Sequence, residues 1–199
     1  RETGISSHML LEMLGDMWVV TRNPYIQDDL LENPKRQRSL LETLKSRLDS
    51  IRVRAKNNTL TLELVSIAGQ ALEKFADSFA TQADLRIRAR KRLGKITRKD
   101  NIQFDGLARV SHVTDATDWR VELPFVVLTP DTEEEMAALV QCCIRLGLTV
   151  IPRGGGTGYT GGSVPLDEMS AVINTEKLEA ISEIDYRAEL PGGVKPKND

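Results

Sequence analysis

The chain has 199 residues, with 27 Lys and Arg against 29 Asp and Glu and a formal charge of -2. Its hydrophobic share of 40% is enough to bury a core and too much for a disordered tail. The near-neutral balance argues against a dedicated nucleic-acid binder, no run of about eighteen apolar residues offers a membrane span, and no signal-peptide pattern opens the chain.

Residues 1–92 read as helical. Leu10, Leu14, Met17 and Trp18 are spaced to share one face of a first helix, which Gly15 weakens. Pro24 and Pro34 bracket a polar stretch with room for a short helix from Ile26 to Leu31. Ser39 and Glu42 are spaced as a capping box, and behind them Leu41, Leu44, Leu48 and Ile51 recur at helical spacing. A third helix fits residues 59–80 on Leu64, Ala68, Leu72, Phe75 and Phe79, although Leu60, Leu62 and Leu64 also alternate as a strand would. A fourth fits Ala83 to Leu93. Such faces need partners, so a small helical unit is expected. Basic residues crowd its end: Arg86, Arg88, Arg90, Lys91, Arg92, Lys95, Arg98 and Lys99. They read as a solvated helix face and turn, or as an edge for docking an acidic neighbour. Without interleaved aromatics they make a poor nucleic-acid platform.

Residues 93–123 read as a long ordered connection. No period is sustained around Phe104, Gly106 and His112, and Asp115, Thr117 and Asp118 suggest turns. A loop of that length is either held against something or carries a site. His112 reads as a satisfied loop histidine or as a contact to a ligand or a further lobe. The other histidine, His8, lies in a different unit, so no metal site is expected. Asp115 and Asp118 read as turn formers before acid–base groups.

From residue 124 the pattern changes. Phe125 to Leu128 is a continuous apolar run suited to a covered strand, ended by Pro130. Thr132 and Glu135 are spaced as a capping box. The helix behind them is expected to bury Met136, Leu139, Val140, Cys143 and Ile144, with Glu133 and Glu134 favoured at its start and Gly147 as its stop. The two cysteines, Cys142 and Cys143, are adjacent in this helix. They exclude a spaced metal cluster and a disulfide framework, fit a reduced cytosolic setting, and read as small buried hydrophobes. Leu148 to Ile151 is a second strand, which makes a βαβ-type unit with a short crossover. Ala171 to Asn174 is a third strand, and the final residues, with Pro191, Gly192 and Gly193, read as a loop leaving a truncated lobe.

The chemistry concentrates in Pro152, Arg153, Gly154, Gly155, Gly156, Thr157, Gly158, Tyr159, Thr160, Gly161 and Gly162, directly after the second strand. Glycine admits positive φ and lets backbone N–H groups approach a ligand without an intervening Cβ. Consecutive N–H groups make an anion nest, Arg153 adds a positive charge, and Thr157 and Thr160 add hydroxyls, so a pyrophosphate is the natural guest. Gly156, Gly158 and Gly161 spell G-x-G-x-x-G, but Ser163, Val164 and Pro165 follow where a dinucleotide fingerprint must open a helix. No lysine follows Gly161, which excludes a P-loop. A flexible linker would not carry strands on both sides with Arg and Tyr inside. Tyr159 has two open readings: packing on the cofactor, or covering the nest.

At this loop the chain resembles the FAD-binding lobe of the p-cresol methylhydroxylase/vanillyl-alcohol oxidase superfamily, and within it the D-lactate and glycolate dehydrogenase group. The likeness runs through Thr114-Asp115-Ala116-Thr117-Asp118-Trp119, Leu123-Pro124, Pro130-Asp131-Thr132-Glu133-Glu134-Glu135, Pro152 to Gly162, Gly162-Ser163-Val164-Pro165-Leu166, Ala171 to Thr175 and Leu178 to Asp185. Earlier, Asn23-Pro24-Tyr25, Gln27-Asp28-Asp29-Leu30-Leu31, Asn33-Pro34-Lys35-Arg36 and the stretch from Arg98 to His112 resemble the helical leader of very large bacterial FAD-linked oxidoreductases, which continue into iron–sulfur-binding regions.

The resemblance implies an α+β chain. A helical leader over residues 1–92 and an ordered connection over 93–123 lead into the first part of an FAD-binding lobe with a small mixed sheet over 124–199. It implies that Pro152 to Gly162 wrap the FAD pyrophosphate. It further implies that the residues facing the flavin ring, any metal-binding histidines and any iron–sulfur cluster lie downstream. Some relatives attach FAD through a histidine after the R-[SG]-G-G element. Thr157 stands there, so noncovalent FAD is expected. The implied parent is a flavin-dependent dehydrogenase or oxidase of a small 2-hydroxy acid such as D-lactate or glycolate, cytoplasmic or peripheral to a membrane, with its own downstream domains as partners. This part alone is expected to be inactive. Two other classes stand beside it: a structural or interaction module of a multidomain oxidoreductase, and a regulatory nucleotide-binding module. The opening Arg1 in place of Met fits a chain cut from a longer one.

Overall fold

Asparagine sets the helix starts in the first half of the chain. The computed structural model describes residues 2–179. Its first helices are α1 (Glu2–Arg22), α2 (Pro24–Glu32), α3 (Pro34–Ala55) and α4 (Thr59–Leu93). The Asn23 side chain accepts from the Tyr25 and Ile26 N–H groups, with Pro24 in the first helical position, and the Asn58 side chain accepts from the Thr61 N–H. Each such cap satisfies a donor the helix leaves open and stabilises it by about 1 kcal/mol. Asn33 and Pro34 repeat the Asn-Pro start for α3. That early start puts Ser39 inside α3, so the expected capping box with Glu42 does not form.

These four helices close a core, to which α2 gives Leu30. α1 turns Leu10, Met13, Met17 and Val20 inward. The expected Leu14 and Trp18 instead lie 39% and 64% exposed, because the buried stripe runs one position over. α3 supplies Leu44, Leu48 and Ile51 as expected. α4 supplies Val65, Ala68, Leu72, Phe75 and Phe79, whereas the expected Leu64 is exposed. The Leu60–Leu64 alternation is helical. The two helices expected over 59–80 and 83–93 are one, since no Gly or Pro interrupts residues 80–83.

This continuity matters, because the far half of α4 serves a second core. Leu85, Ala89 and Leu93 pack with the sheet. The connection after them is not without structure. Its polar start holds a 3-10 turn (Lys99–Asn101), then strand β1 (Ile102–Gln103) and helix α5 (Gly106–Ser111), capped by the Asp105 carboxylate on the Ala108 N–H. The lobe follows with β2 (Val126–Leu128), α6 (Glu134–Arg145), β3 (Thr149–Arg153) and β4 (Ser170–Asn174).

The sheet order among the described residues is β1-β2-β4-β3, with β1 antiparallel to β2 and the other pairs parallel. The expected βαβ unit is therefore split: β2 and β3 do not pair, because β4 returns between them. β4 is buried on both faces, as its unbroken apolar run requires. Val126, Leu128, Ala171 and Ile173 face α6 and the end of α4 through Leu139 and Cys143, whereas Val127 and Val172 face Ala108 of α5.

α6 begins one residue later than a Thr132 cap would place it. Glu133 occupies the cap position without a side-chain bond, and the Glu135 carboxylate accepts from the Asp131 N–H at 3.1 Å. Cys142 and Cys143 are both buried, and Ile144, expected inside, is exposed. Burial pushes the Cys143 thiol up to about 12, so it is a hydrophobe and not a nucleophile. Gly147 ends the helix at φ 76°. The loop expected for the final residues, and Ala180 to Asp185 of the resemblance, lie outside the described residues.

Candidate functional site

Three parallel strands end at one edge of the sheet, and an open sheet of this kind receives ligands at its carboxyl ends. At this edge β2 runs into Thr129–Asp131, β4 into Thr175–Lys177, and β3 into the glycine loop.

The loop stands off the protein. From Gly154 to Thr160 it is exposed except at Gly156, and no helix follows it among the described residues. None of its backbone N–H groups from Gly154 to Gly162 donates to a protein acceptor among the described residues. Two of its glycines answer to the backbone: Gly156 and Gly161 have φ of 67° and 73°. The other four, Gly154, Gly155, Gly158 and Gly162, do not. A Cβ on Gly154 or Gly158 would meet nothing within 4 Å, and on Gly155 or Gly162 only a threonine of the same loop. Nothing described in the chain requires glycine at those four positions. Their bare Cα atoms leave room for a molecule that is not protein. No carboxylate lies between Pro152 and Gly162 in the sequence. The stretch fits a pyrophosphate.

Arg153 is placed differently from a side chain reaching outward. Its guanidinium donates to the Thr114 carbonyl at 2.6 Å and packs against Gly156, where a Cβ would come within 2.7 Å of its Cζ. It ties the loop to the turn at residues 114–119. Thr175 closes the base of the loop by donating its N–H to the Arg153 carbonyl at 2.9 Å. In the turn, the Asp115 carboxylate accepts from the Thr117 N–H at 2.9 Å and from its hydroxyl. These bonds, with the Ser163 N–H and the Arg153 charge nearby, hold the Asp115 carboxyl below its usual range. Its other oxygen is buried without a well-aligned partner among the described residues. Asp115 thus organises the loop as a turn former. Asp118, at φ 59°, lies exposed beside it.

His112 caps α5 and is satisfied at both ring nitrogens. Nδ1 lies 2.8 Å from the Ala108 carbonyl, and Nε2 lies 2.9 Å from the Asn174 amide at the end of β4. The carbonyl can only accept, so Nδ1 carries the proton and Nε2 accepts from Asn174. Tyr159 is 83% exposed on the loop and covers nothing.

The β2 side of the edge is a polar knot. Asp131 accepts two bonds from Arg98 at 2.6 and 2.8 Å, one from Asn101 at 2.9 Å and one from Lys177 at 3.3 Å. Together they hold its carboxyl far below the usual carboxylate range, the Arg98 bond foremost.

The basic run is not simply a solvated face. Arg86 is buried, donates to Asp28 of α2 at 2.6 Å, and stacks with Arg90 on the Phe104 ring. Arg109 of α5, also buried, donates to the Pro124 carbonyl at 2.7 Å and to Gln27 at 3.1 Å, and lies 3.8 Å from the same Asp28. Burial, with Arg86 adding to it, pushes Arg109 down to about 10, so it stays charged at neutral pH. Sequence reasoning missed this cluster, because its members lie on three helices and no periodic or motif signal links them. Clefts of about 390 and 280 Å³ beside it, both lined by Gln27, Lys74 and Glu168 among others, contain none of the glycine-loop residues.

Two parts of the chain are similar to known proteins. Residues 124–197 match a family described as FAD binding domain, and residues 1–77 match one described as a protein of unknown function (DUF3683). The chain is 41% identical over 69 residues to D-lactate dehydrogenase of Archaeoglobus fulgidus, a span of 34% of this chain and 15% of that protein. It is 31% identical over 74 residues to glycolate oxidase subunit GlcD of Escherichia coli K12, 36% of this chain and 15% of that protein. A solved structure of p-cresol methylhydroxylase with substrate bound aligns at a TM-score of 0.44 and 18% identity, covering 52% of this chain and 21% of that one. The chain thus spans about 15% of the length of these curated relatives. Its C-terminal part is thus similar to the FAD binding domain family and to proteins named D-lactate dehydrogenase and glycolate oxidase subunit GlcD.

Proposed function

We propose that this chain is the N-terminal part of an FAD-dependent oxidoreductase that oxidises a small 2-hydroxy acid such as D-lactate or glycolate. Residues 1–92 form its leader, 93–123 the connection, and 124–199 the start of the lobe that grips FAD. The single observation that carries the cofactor is the glycine loop, where four glycines have no steric reason within the described chain and every N–H from Gly154 to Gly162 is free of a protein acceptor among the described residues. The substrate class follows the D-lactate dehydrogenase and glycolate oxidase names of the similar proteins.

In this reading the chain binds and orients. Backbone N–H groups from Gly154 to Gly158, with those of Gly161 and Gly162, hold the paired phosphates. The Thr157 and Thr160 hydroxyls add donors, and Pro152 closes the end of the strand. Tyr159, exposed on the loop, is left to pack on the cofactor. Arg153 lends its charge from against Gly156 and keeps the loop fixed to the turn. FAD, when bound, supplies the ring that takes the hydride. Thr157 offers no nucleophilic ring nitrogen, so the cofactor is held noncovalently. The groups that touch the 2-hydroxy acid, and any iron–sulfur cluster, belong to downstream domains of the same polypeptide. The same reading places the protein in the cytoplasm or at a membrane surface. Among the described residues no helix is long and apolar enough to cross a membrane.

The test is the full-length protein. It is expected to purify with flavin absorbance, or to take up added FAD, and its flavin bands are expected to bleach on anaerobic addition of D-lactate or glycolate. Preference for ATP or NAD over FAD would instead support a regulatory nucleotide module. A second reading, an interaction module holding a larger enzyme together, is favoured by the exposed basic residues Arg88, Lys91, Arg92 and Lys95 at and after the end of α4.

A further inference from the structure

We propose that Trp119 is an aromatic wall of this site, on which a flat conjugated ring of the bound dinucleotide stacks. The inference rests on the FAD reading and goes beyond the phosphate grip.

The position of Trp119 is built rather than incidental. The turn that carries it is locked to the glycine loop by the Arg153 bond to the Thr114 carbonyl at 2.6 Å and by the Glu122 N–H donating to the Pro165 carbonyl at 3.2 Å. Within the turn, Asp115 holds Thr117, and the Thr117 hydroxyl accepts from the Trp119 N–H at 3.4 Å. The backbone of Trp119 is therefore fixed relative to the loop.

Its ring lies against Gly161. A Cβ on that glycine would sit 3.4 Å from Cε3 and 3.7 Å from Cζ3 of the indole. A Cβ there would be in ordinary van der Waals contact with the ring, and any side chain at 161 would strain a backbone at φ 73°. Yet the indole remains 62% exposed. An indole is among the largest apolar surfaces a chain can bury, and this one is held in water by a fixed turn at the rim of a loop with open donors. Exposure alone would not carry the point, since Trp18 is as exposed and lies in a different part of the molecule. The carrying juxtaposition is an anchored, uncovered indole in contact with a glycine of the nest. A ligand with paired phosphates and a planar ring matches both surfaces at once, because stacking tolerates any π-face while the nest takes the charge.

FAD has two such rings, adenine and the flavin, and the test separates them. Full-length apoprotein, its Trp119→Ala variant and its Trp119→Phe variant are titrated with FAD, ADP and FMN. Trp119→Ala is expected to bind FAD about 10–100-fold more weakly, and Trp119→Phe within about fivefold of the wild type. A loss shared with ADP places adenine on the indole; a loss shared with FMN places the flavin there. Independently of affinity, FAD is expected to quench a component of tryptophan emission that Trp119→Phe lacks. Unchanged FAD affinity in a folded Trp119→Ala variant, or equal quenching in wild type and Trp119→Phe, overturns the proposal while leaving FAD binding intact. A wild type that takes up no FAD overturns the FAD reading, and this proposal with it.

Discussion

Glycine residues that look alike in the sequence do two different jobs in the loop. Gly156 meets a need internal to the protein: φ is 67°, and a Cβ would collide with the Arg153 guanidinium. We expect Gly156→Ala to lower stability by about 1–3 kcal/mol, read from denaturant unfolding of the full-length protein. Gly158 has no positive φ and open space at its Cβ. Gly158→Val is therefore expected to unfold within about 0.5 kcal/mol of the wild type while binding FAD at least about tenfold more weakly. Equal affinity in that variant would mean that the open space serves something other than a ligand. Run length and strand context make such a loop visible in sequence. Which glycine answers to the backbone and which to a guest depends on where Arg153 and Trp119 come to lie.

Between elements, the polar knot at Asp131 joins the end of β2 to the turn before β1 and to the residues after β4. Its folded carboxyl is held below the unfolded range by Arg98, Asn101 and Lys177. The stabilising contribution is thus fully present above the unfolded value of about 4 and is lost as pH falls through the folded one. We expect unfolding free energy to drop progressively below about pH 4, and Asp131→Asn to flatten that part of the profile. A profile identical in both proteins would remove the knot from the account. Helix boundaries were legible where a breaker marks them, as at Gly147, whereas the Asn23-Pro24 start lies two residues before the helix expected from Ile26. They were misplaced where the signal was spacing alone. Ser39 with Glu42 has capping-box spacing, but Asn33-Pro34 starts the helix earlier and absorbs it.

Among the described residues, the two larger cores are threaded by one helix. The first half of α4 packs into the helical core through Val65 to Phe79, and its second half packs under the sheet through Leu85, Ala89 and Leu93. The buried ions tighten the same junction. Asp28 lies between Arg86 and Arg109, so two buried guanidinium groups share one carboxylate. Removing that carboxylate strands both. Asp28→Ala is expected to cost about 3–5 kcal/mol in equilibrium unfolding, whereas replacing all three by apolar residues of similar size should cost far less. Near-wild-type stability in Asp28→Ala would show that the junction is held by packing alone. Through Arg109, which also donates to the Pro124 carbonyl, this cluster ties the helical half of the chain to the segment that enters the sheet, and a row of amphipathic helices does not reveal it.

Local rules written into the chain were enough for the class of fold and for most of its helices and strands, and they single out the glycine loop, but they gave no sign of β1 and α5 inside the connection. They are rules about which residues cap a helix, how apolar side chains repeat, and where glycine frees the backbone. Three features emerged only in the folded molecule: β4 returns between β2 and β3, α4 runs unbroken through both cores, and Arg86, Arg109 and Asp28 meet. Those outcomes depend on side chains far apart in the chain competing for the same buried space and the same few partners. No local pattern carries that information, because the cost of burying a charge or a strand edge is settled only by what lies across from it.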